Sequence, residues 1–297
     1  EDAIVVNNNA SAVFLILNTF SQNKEAVVSR GELVEIGGSF RVPEVMSQSG
    51  AILKEIGTTN KTHPRDYENA VNENTSILMK VHKSNYTIEG FTSEVPYEEV
   101  VKIAKEKNVI DYYDMGSGHM IDLPFNLDQV EPSILKIMQY KPSLLSFSGD
   151  KLLGSVQAGI IIGKKELIAK IKKNQLLRML RVDKITLALL EDNLTSYLEN
   201  NLDDIPTLKM LNTSITELEK RACLLKESIE DLCSCEVIQT QTLIGGGTTP
   251  NKKIPTVALS ISYKDYKANR IEKLLRAQNL IIRIENDKVL IDFRSIK

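Results

Sequence analysis

Cysteine is scarce in this 297-residue chain: only Cys223, Cys233 and Cys235, an odd number with no C-x-x-C pair. That excludes a small disulfide scaffold and fits free thiols in a reducing compartment. Histidine is as rare. His63, His82 and His119 all lie far from the cysteines in sequence, so no mixed Cys/His zinc site is expected and no metal is assigned. Long apolar runs are missing too. None approaches the ~20 residues that span a bilayer, so no membrane partner is expected. No secretory signal is recognisable, and the default expectation is a cytoplasmic location. Charge of one sign is also lacking: 37 Lys+Arg against 39 Asp+Glu leave −2. Such a chain is not a basic nucleic-acid coat. Any RNA partner must be met by a local cluster or by residues outside it.

What is present is ordinary for a globular enzyme, with 42% hydrophobic and 26% charged residues. The length allows one large or two medium domains. The chain opens at Glu1 and enters an apolar run at once, an opening that suggests a fragment. Over the first two-thirds, strand and helix signals alternate. Short apolar runs at 3–6, 25–29, 51–56, 76–82, 108–113, 144–147 and 158–162 are separated by helical patterns. This predicts an α/β fold with an open, mostly parallel sheet and helices on both faces. Its ligand site should lie at the carboxyl ends of the strands. After Gly163 the texture changes to long helical stretches, at 164–173, 184–200 and 208–233, then to strand runs that predict a small α+β domain. The expected division is 1–203 and 204–297. The triple glycine at 245–247 has no helix after it and reads as a loop between strands, not a phosphate cradle.

Five places can carry chemistry. In SFSGDKLLGSVQAG from Ser146, a strand runs into a polar turn holding Lys151, with Ser148 three residues before it. A lysine on a rigid strand-end turn can form a Schiff base, and the serine can bond an anion. The alternative is a surface lysine in a hairpin. In VIDYYDMGSG from Val109, an apolar strand delivers Asp114 to its end, where a carboxylate can pair with a pyridinium nitrogen. The alternative is a turn aspartate. The order of this aspartate and that lysine resembles aminotransferase-like pyridoxal-phosphate enzymes. Asn7-Asn8-Asn9-Ala10-Ser11 ends a strand and opens a helix, where Asn9 and Ala10 can meet a phosphate or serve as a plain cap. His82, at another strand end, could stack on a cofactor ring. Arg178, Arg181 and Lys184, three apart, are expected to share one helix face that can grip an oxyanion or lie solvated.

Together the segments carry a resemblance. VVNNNASAVFLILNTF from Val5, SRGELVEIGGSFRVPEVMSQSGA from Ser29, EIGTTNKTHPRDYE from Glu55, KVHKSNYTIEGFT from Lys80, DMGSGHMIDL from Asp114, SFSGDKLLGSVQAG from Ser146 and LLRMLRVDKITLALLE from Leu176 follow one another as in the bacterial selenocysteine synthases, the L-seryl-tRNA(Sec) selenium transferases. The resemblance covers about two-thirds of the chain, with a looser match at IRIENDKVLIDFR. It implies a pyridoxal-phosphate fold-type I scaffold and a homo-oligomer built from dimers. The family's Schiff-base lysine falls on Lys151, its ring aspartate on Asp114, its stacking residue on His82 and its neighbouring acid on Asp150. Two arginines of its anion site, thought to hold the selenium donor's phosphate, fall on Arg178 and Arg181.

The implied reaction is a β-replacement. Seryl-tRNA(Sec) loses its serine hydroxyl and takes selenium from selenophosphate. Two departures stand out. The family's N-terminal extension and an upstream Asn-Leu-Gly-Arg segment have no counterpart, so a catalytic core without them is expected. Ser155 and Val156 stand where the family has Gly and Pro, a change expected to loosen the turn. The alternatives are a lyase or desulfurase-like enzyme acting on free amino acids, and a non-catalytic relative.

Overall fold

Alternating apolar runs and amphipathic segments become one seven-stranded sheet covered on both faces. The computed structural model describes residues 1–36, 40–129, 131–245 and 247–296. Gly37, Gly38 and Ser39 of the second matching segment, and Gly246 of the triple glycine, lie outside the described residues. The chain divides into two units, Glu1–Ile205 with Gly245–Pro250, and Pro206–Ile244 with the remainder from Asn251.

The first unit begins with β1 (Asp2–Val6), α1 (Asn9–Phe20) and β2 (Glu25–Ser29). A small ribbon of β3 (Glu35–Ile36) and β4 (Phe40–Arg41) leads into α2 (Val42–Gln48), β5 (Ile52–Ile56), α3 (Pro64–Ala70) and β6 (Thr75–Val81). Next come α4 (Tyr97–Lys107), β7 (Ile110–Gly116), α5 (Ile134–Met138), β8 (Leu144–Ser148) and β9 (Gly159–Gly163). The unit then runs through α6 (Lys165–Lys173), α7 (Leu177–Leu180) and α8 (Lys184–Leu198).

The sheet order is β1-β9-β8-β7-β6-β2-β5. Only β9 runs against its neighbours, so the sheet is mostly parallel, as expected. A parallel sheet buried on both faces needs apolar side chains pointing both ways. Consecutive residues accordingly enter opposite cores: Ile77 and Met79 pack with α1, α2 and α6, while Leu78 packs with α3, α4 and α5. Tyr112 and Tyr113 of β7 divide in the same way.

The second unit holds α9 (Pro206–Asn212), α10 (Ile215–Ile229), β10 (Ser234–Leu243), β11 (Lys253–Ser262), α11 (Ala268–Ala277), β12 (Arg283–Glu285) and β13 (Lys288–Asp292). Its sheet is antiparallel in the order β10-β11-β13-β12. Leu218 and Ala222 of α10 pack on Val257, Leu259, Val289 and Ile291. Among the described residues, no helix is long and apolar enough to cross a membrane.

Two helical expectations need correction. The stretch 208–233 is not one helix. Ser214 interrupts it by accepting the Glu217 N–H at 3.2 Å, a capping bond that starts α10 afresh. Arg178, Arg181 and Lys184 do not share one helix face either. Arg181 is extended, with φ −66° and ψ 144°, and bridges to Val6 of β1. Asp183 then caps α8 through the Ile185 and Thr186 N–H groups at 2.7 and 3.0 Å.

Candidate active site at the carboxyl edge of the sheet

The first turn of α1 opens directly after β1. Asn8 is extended, with φ −163°, and its side chain accepts the Ser11 N–H at 2.8 Å. Gly159 of β9 passes so close that a Cβ there would lie 2.2 Å from the Asn8 carbonyl oxygen. The next residue, Asn9, turns its Nδ2 onto Asp114 Oδ1 at 2.7 Å, while its Oδ1 is buried without a hydrogen-bond partner. Ala10 follows within the same turn.

Asp114 ends the apolar run of β7, where the pairing with β8 shifts register. It is buried, and its Oδ1 also accepts the Gly116 N–H at 3.0 Å. Burial pushes the Asp114 carboxyl up, against the Asn9 and Gly116 bonds and the charges of Lys151 and His82. His82 follows β6 and donates its main-chain N–H to the Asp114 carbonyl at 2.9 Å. Its Nε2 is buried without a hydrogen-bond partner.

Ser148 ends β8, buried and paired with Gly159. Lys151 stands half-buried in the turn that follows, and Asp150 beside it is exposed. The turn is held from several sides. Ser117 Oγ accepts the Leu152 N–H at 3.3 Å, and the Leu153 carbonyl accepts the Tyr197 hydroxyl of α8 at 2.9 Å. Leu152 and Leu153 are buried, which pins the turn to the core. Its left-handed position is Gly154, with φ +71°. Ser155 is not left-handed, and its N–H closes the turn on the Gly149 carbonyl at 2.8 Å. The expected loosening therefore has a counterweight: the conformation that demands glycine falls one residue earlier. Gly247 of the Gly245–Pro250 loop comes alongside, and a Cβ there would lie 3.6 Å from Lys151 Cε and 3.7 Å from Nζ.

Arg178 and Arg181 are exposed. With Val5, Asp183, Lys184 and Leu187 they line an open hollow of about 740 Å³. The Asn7 N–H donates to the Leu180 carbonyl at 2.8 Å, which fastens this segment to the end of β1. Lys151, Asp114 and His82 do not line this hollow. A second cavity, about 320 Å³, opens beside His82 between Lys80, Lys83, Tyr86, Glu94 and Tyr113. Lys80 is buried and paired to buried Glu32 at 2.8 Å. A cavity of about 640 Å³ at the opposite edge lies by Asp111. There Tyr97 and Ser143 already engage the carboxylate, a structural bond set.

Glu131 had no sequence signal. It is fully buried, and its Oε1 accepts the Gly118 N–H at 3.2 Å while Oε2 accepts the Thr248 hydroxyl at 2.9 Å. His82 Nε2 lies 3.6 Å from Oε2, too long for a hydrogen bond. Burial alone would raise the Glu131 carboxyl. The His82 ring, the Thr248 hydroxyl and His119 outweigh it and hold the group below the ordinary carboxylate range. Buried His119 sets Nδ1 2.7 Å from the Ile121 carbonyl and Nε2 2.6 Å from that of Glu131. Carbonyl oxygens only accept, so both contacts form together only when both ring nitrogens carry hydrogen.

A family model described as L-seryl-tRNA selenium transferase (SelA) matches residues 1–297. The L-seryl-tRNA(Sec) selenium transferase of Aliarcobacter butzleri is 76% identical over 296 residues, and that of Sulfurimonas denitrificans 70% over 297. Both alignments cover 100% of this chain, which spans 66% of the length of these relatives. Among solved structures, D-glucosaminate-6-phosphate ammonia-lyase superposes with a TM-score of 0.70 at 16% identity, over 100% of this chain and 77% of that one. At that identity the likeness concerns the fold, which is the fold-type I architecture expected from the sequence.

Proposed function

The chain belongs to the L-seryl-tRNA selenium transferase family, and on that premise we propose that it carries the catalytic core of pyridoxal-phosphate-dependent conversion of seryl-tRNA(Sec) to selenocysteinyl-tRNA(Sec), with selenophosphate as selenium donor. The observation that carries the reading is the buried Asn9–Asp114 pair on the strand edge that also bears His82 and Lys151.

The residues present fit the cofactor. Asn9 Oδ1 is buried without a hydrogen-bond partner, and Asp114 is a carboxylate whose charge burial resists. A cationic ring nitrogen against Asp114 would relieve that cost. When bound, pyridoxal phosphate supplies an electron sink for charge developing at the substrate's α-carbon.

The chain's own residues do the rest. Lys151 would be the amine that holds the cofactor and, when free, the base for the substrate's α-proton. Asp114, oriented by Asn9, would face the ring nitrogen and keep it protonated. His82 would supply a stacking face. Ser148 and the first turn of α1 at Asn9 and Ala10 would receive the cofactor phosphate. Asp150, exposed beside Lys151, is the acid available to the incoming substrate. Arg178 and Arg181, in their open hollow, hold the phosphate of the donor by charge-assisted bonds. The reaction is assigned to residues 1–203, with 204–297 as the small domain.

A homo-oligomer built from dimers and a cytoplasmic location belong to the same reading. Ile185 and Leu189, four apart on α8, support the first: they are 67% and 50% exposed, an apolar stripe that a second copy would cover.

The test is covalent. Protein incubated with pyridoxal phosphate should gain a visible absorbance band, and borohydride reduction should leave the pyridoxyl mass on the peptide holding Lys151. Lys151→Ala should lose both, together with selenium transfer to seryl-tRNA(Sec). A wild-type protein that never gains the band sinks the reading. Turnover of free serine without tRNA would point to the lyase alternative instead.

A further inference from the structure

Glu131 lies in the loop between β7 and α5, and its side chain is 1% exposed. Burying a carboxylate is costly unless partners meet it. Here the partners come from three separate segments. The Gly118 N–H follows β7, the Thr248 hydroxyl belongs to the Gly245–Pro250 loop, and the His82 ring follows β6. At 3.6 Å, a small ring rotation brings His82 Nε2 into hydrogen-bonding range of Oε2. The Thr248 bond has its own consequence. Thr248 adjoins Gly247, the residue that lies alongside Lys151.

We propose that Glu131 is a positioning residue that fixes the ring of His82 and, through Thr248, holds Gly247 alongside Lys151. The inference rests on the cofactor reading above and concerns how its residues are kept in place. An ionised carboxylate only accepts, so facing Nε2 it selects the ring form with hydrogen on that nitrogen. It also resists rotation of the ring away from the carboxylate. Glutamine in its place would fill the same space but could donate as well as accept, and would select no single ring form. One buried anion thus links the proposed stacking ring to the loop beside the proposed anchor lysine. Glu131 and Thr248 stand 117 positions apart in sequence.

The test compares wild type with Glu131→Gln, Glu131→Asp and Thr248→Val. The primary readout is the ¹⁵N signal pair of the His82 ring in cofactor-free protein. Wild type should show hydrogen on Nε2, and Glu131→Gln a mixture of ring forms. In the cofactor-loaded protein, Glu131→Gln should lose about a hundredfold in kcat, the scale of a misplacement of about 1 Å, with KM for seryl-tRNA(Sec) little changed. Glu131→Asp should recover part of both signals. Thr248→Val should leave the ring signals unchanged and speed amide exchange in the Gly245–Pro250 loop. Unchanged His82 signals in Glu131→Gln overturn the proposal even if turnover falls. Should that variant not fold, unchanged ring signals in Glu131→Asp, or unchanged loop exchange in Thr248→Val, overturn it. Failure of the cofactor reading is separate: wild type then shows no cofactor band, while the ring signals still decide the role of Glu131.

Discussion

Asp114 has a cost that its neighbours only partly offset. Burial raises its carboxyl against two N–H bonds and the pull of Lys151 and His82. The folded chain therefore keeps the Asp114 proton to higher pH than the unfolded chain does, and stability falls as pH rises above the ordinary value of 3.8. Asp114→Asn removes that loss and keeps an oxygen for the Asn9 and Gly116 bonds. In cofactor-free protein at neutral pH it should unfold at an equal or higher denaturant midpoint. In protein loaded with the cofactor it should lose roughly a hundredfold or more in turnover, the effect expected of removing the charge proposed to face the ring nitrogen. A variant less stable than wild type at neutral pH, with unchanged turnover, would refute both halves. Tolerance of a destabilising residue is expected at a working site and hard to explain in a scaffold.

The decisive element is the junction where β1 ends, α1 begins and β9 passes beneath. A Cβ at Gly159 would meet the Asn8 carbonyl oxygen at 2.2 Å, and backbone cannot yield cheaply. Gly159→Ala should cost about 1–3 kcal/mol, the range of overpacking, read as a lower denaturant midpoint at constant slope. Much of this junction was legible in the chain. Three asparagines between an apolar run and a helical pattern announce a cap, while the close pass of Gly159 under Asn8 shows only in the fold. The break at Arg181 was not legible. Spacing of three suited a helix face, and the extended conformation comes from pairing with Val6, which lies far off in sequence.

For the whole molecule, two units have separate cores, and the second depends on one buried cation. Arg294 is 6% exposed and donates to the carbonyl oxygens of Met210, Leu211, Thr213 and Pro255. Arg294→Met leaves those acceptors unmet, at about 1–3 kcal/mol. Hydrogen exchange should quicken in β11 and β13 and stay unchanged in β6 and β7. Equal quickening in all four strands would mean that the two units do not open separately.

By itself the sequence determined the α/β alternation, the strand ends that bear His82, Asp114 and Lys151, and the family to which they point. Those signals are local: short continuous apolar runs, turn glycines and caps act over a few residues. Only the tertiary structure decided that Asn9 holds Asp114 across 105 residues, and that Glu131 gathers His82, Gly118 and Thr248. Burial turns those distant polar groups into obligatory partners, because a carboxylate away from water must find donors wherever the fold brings them.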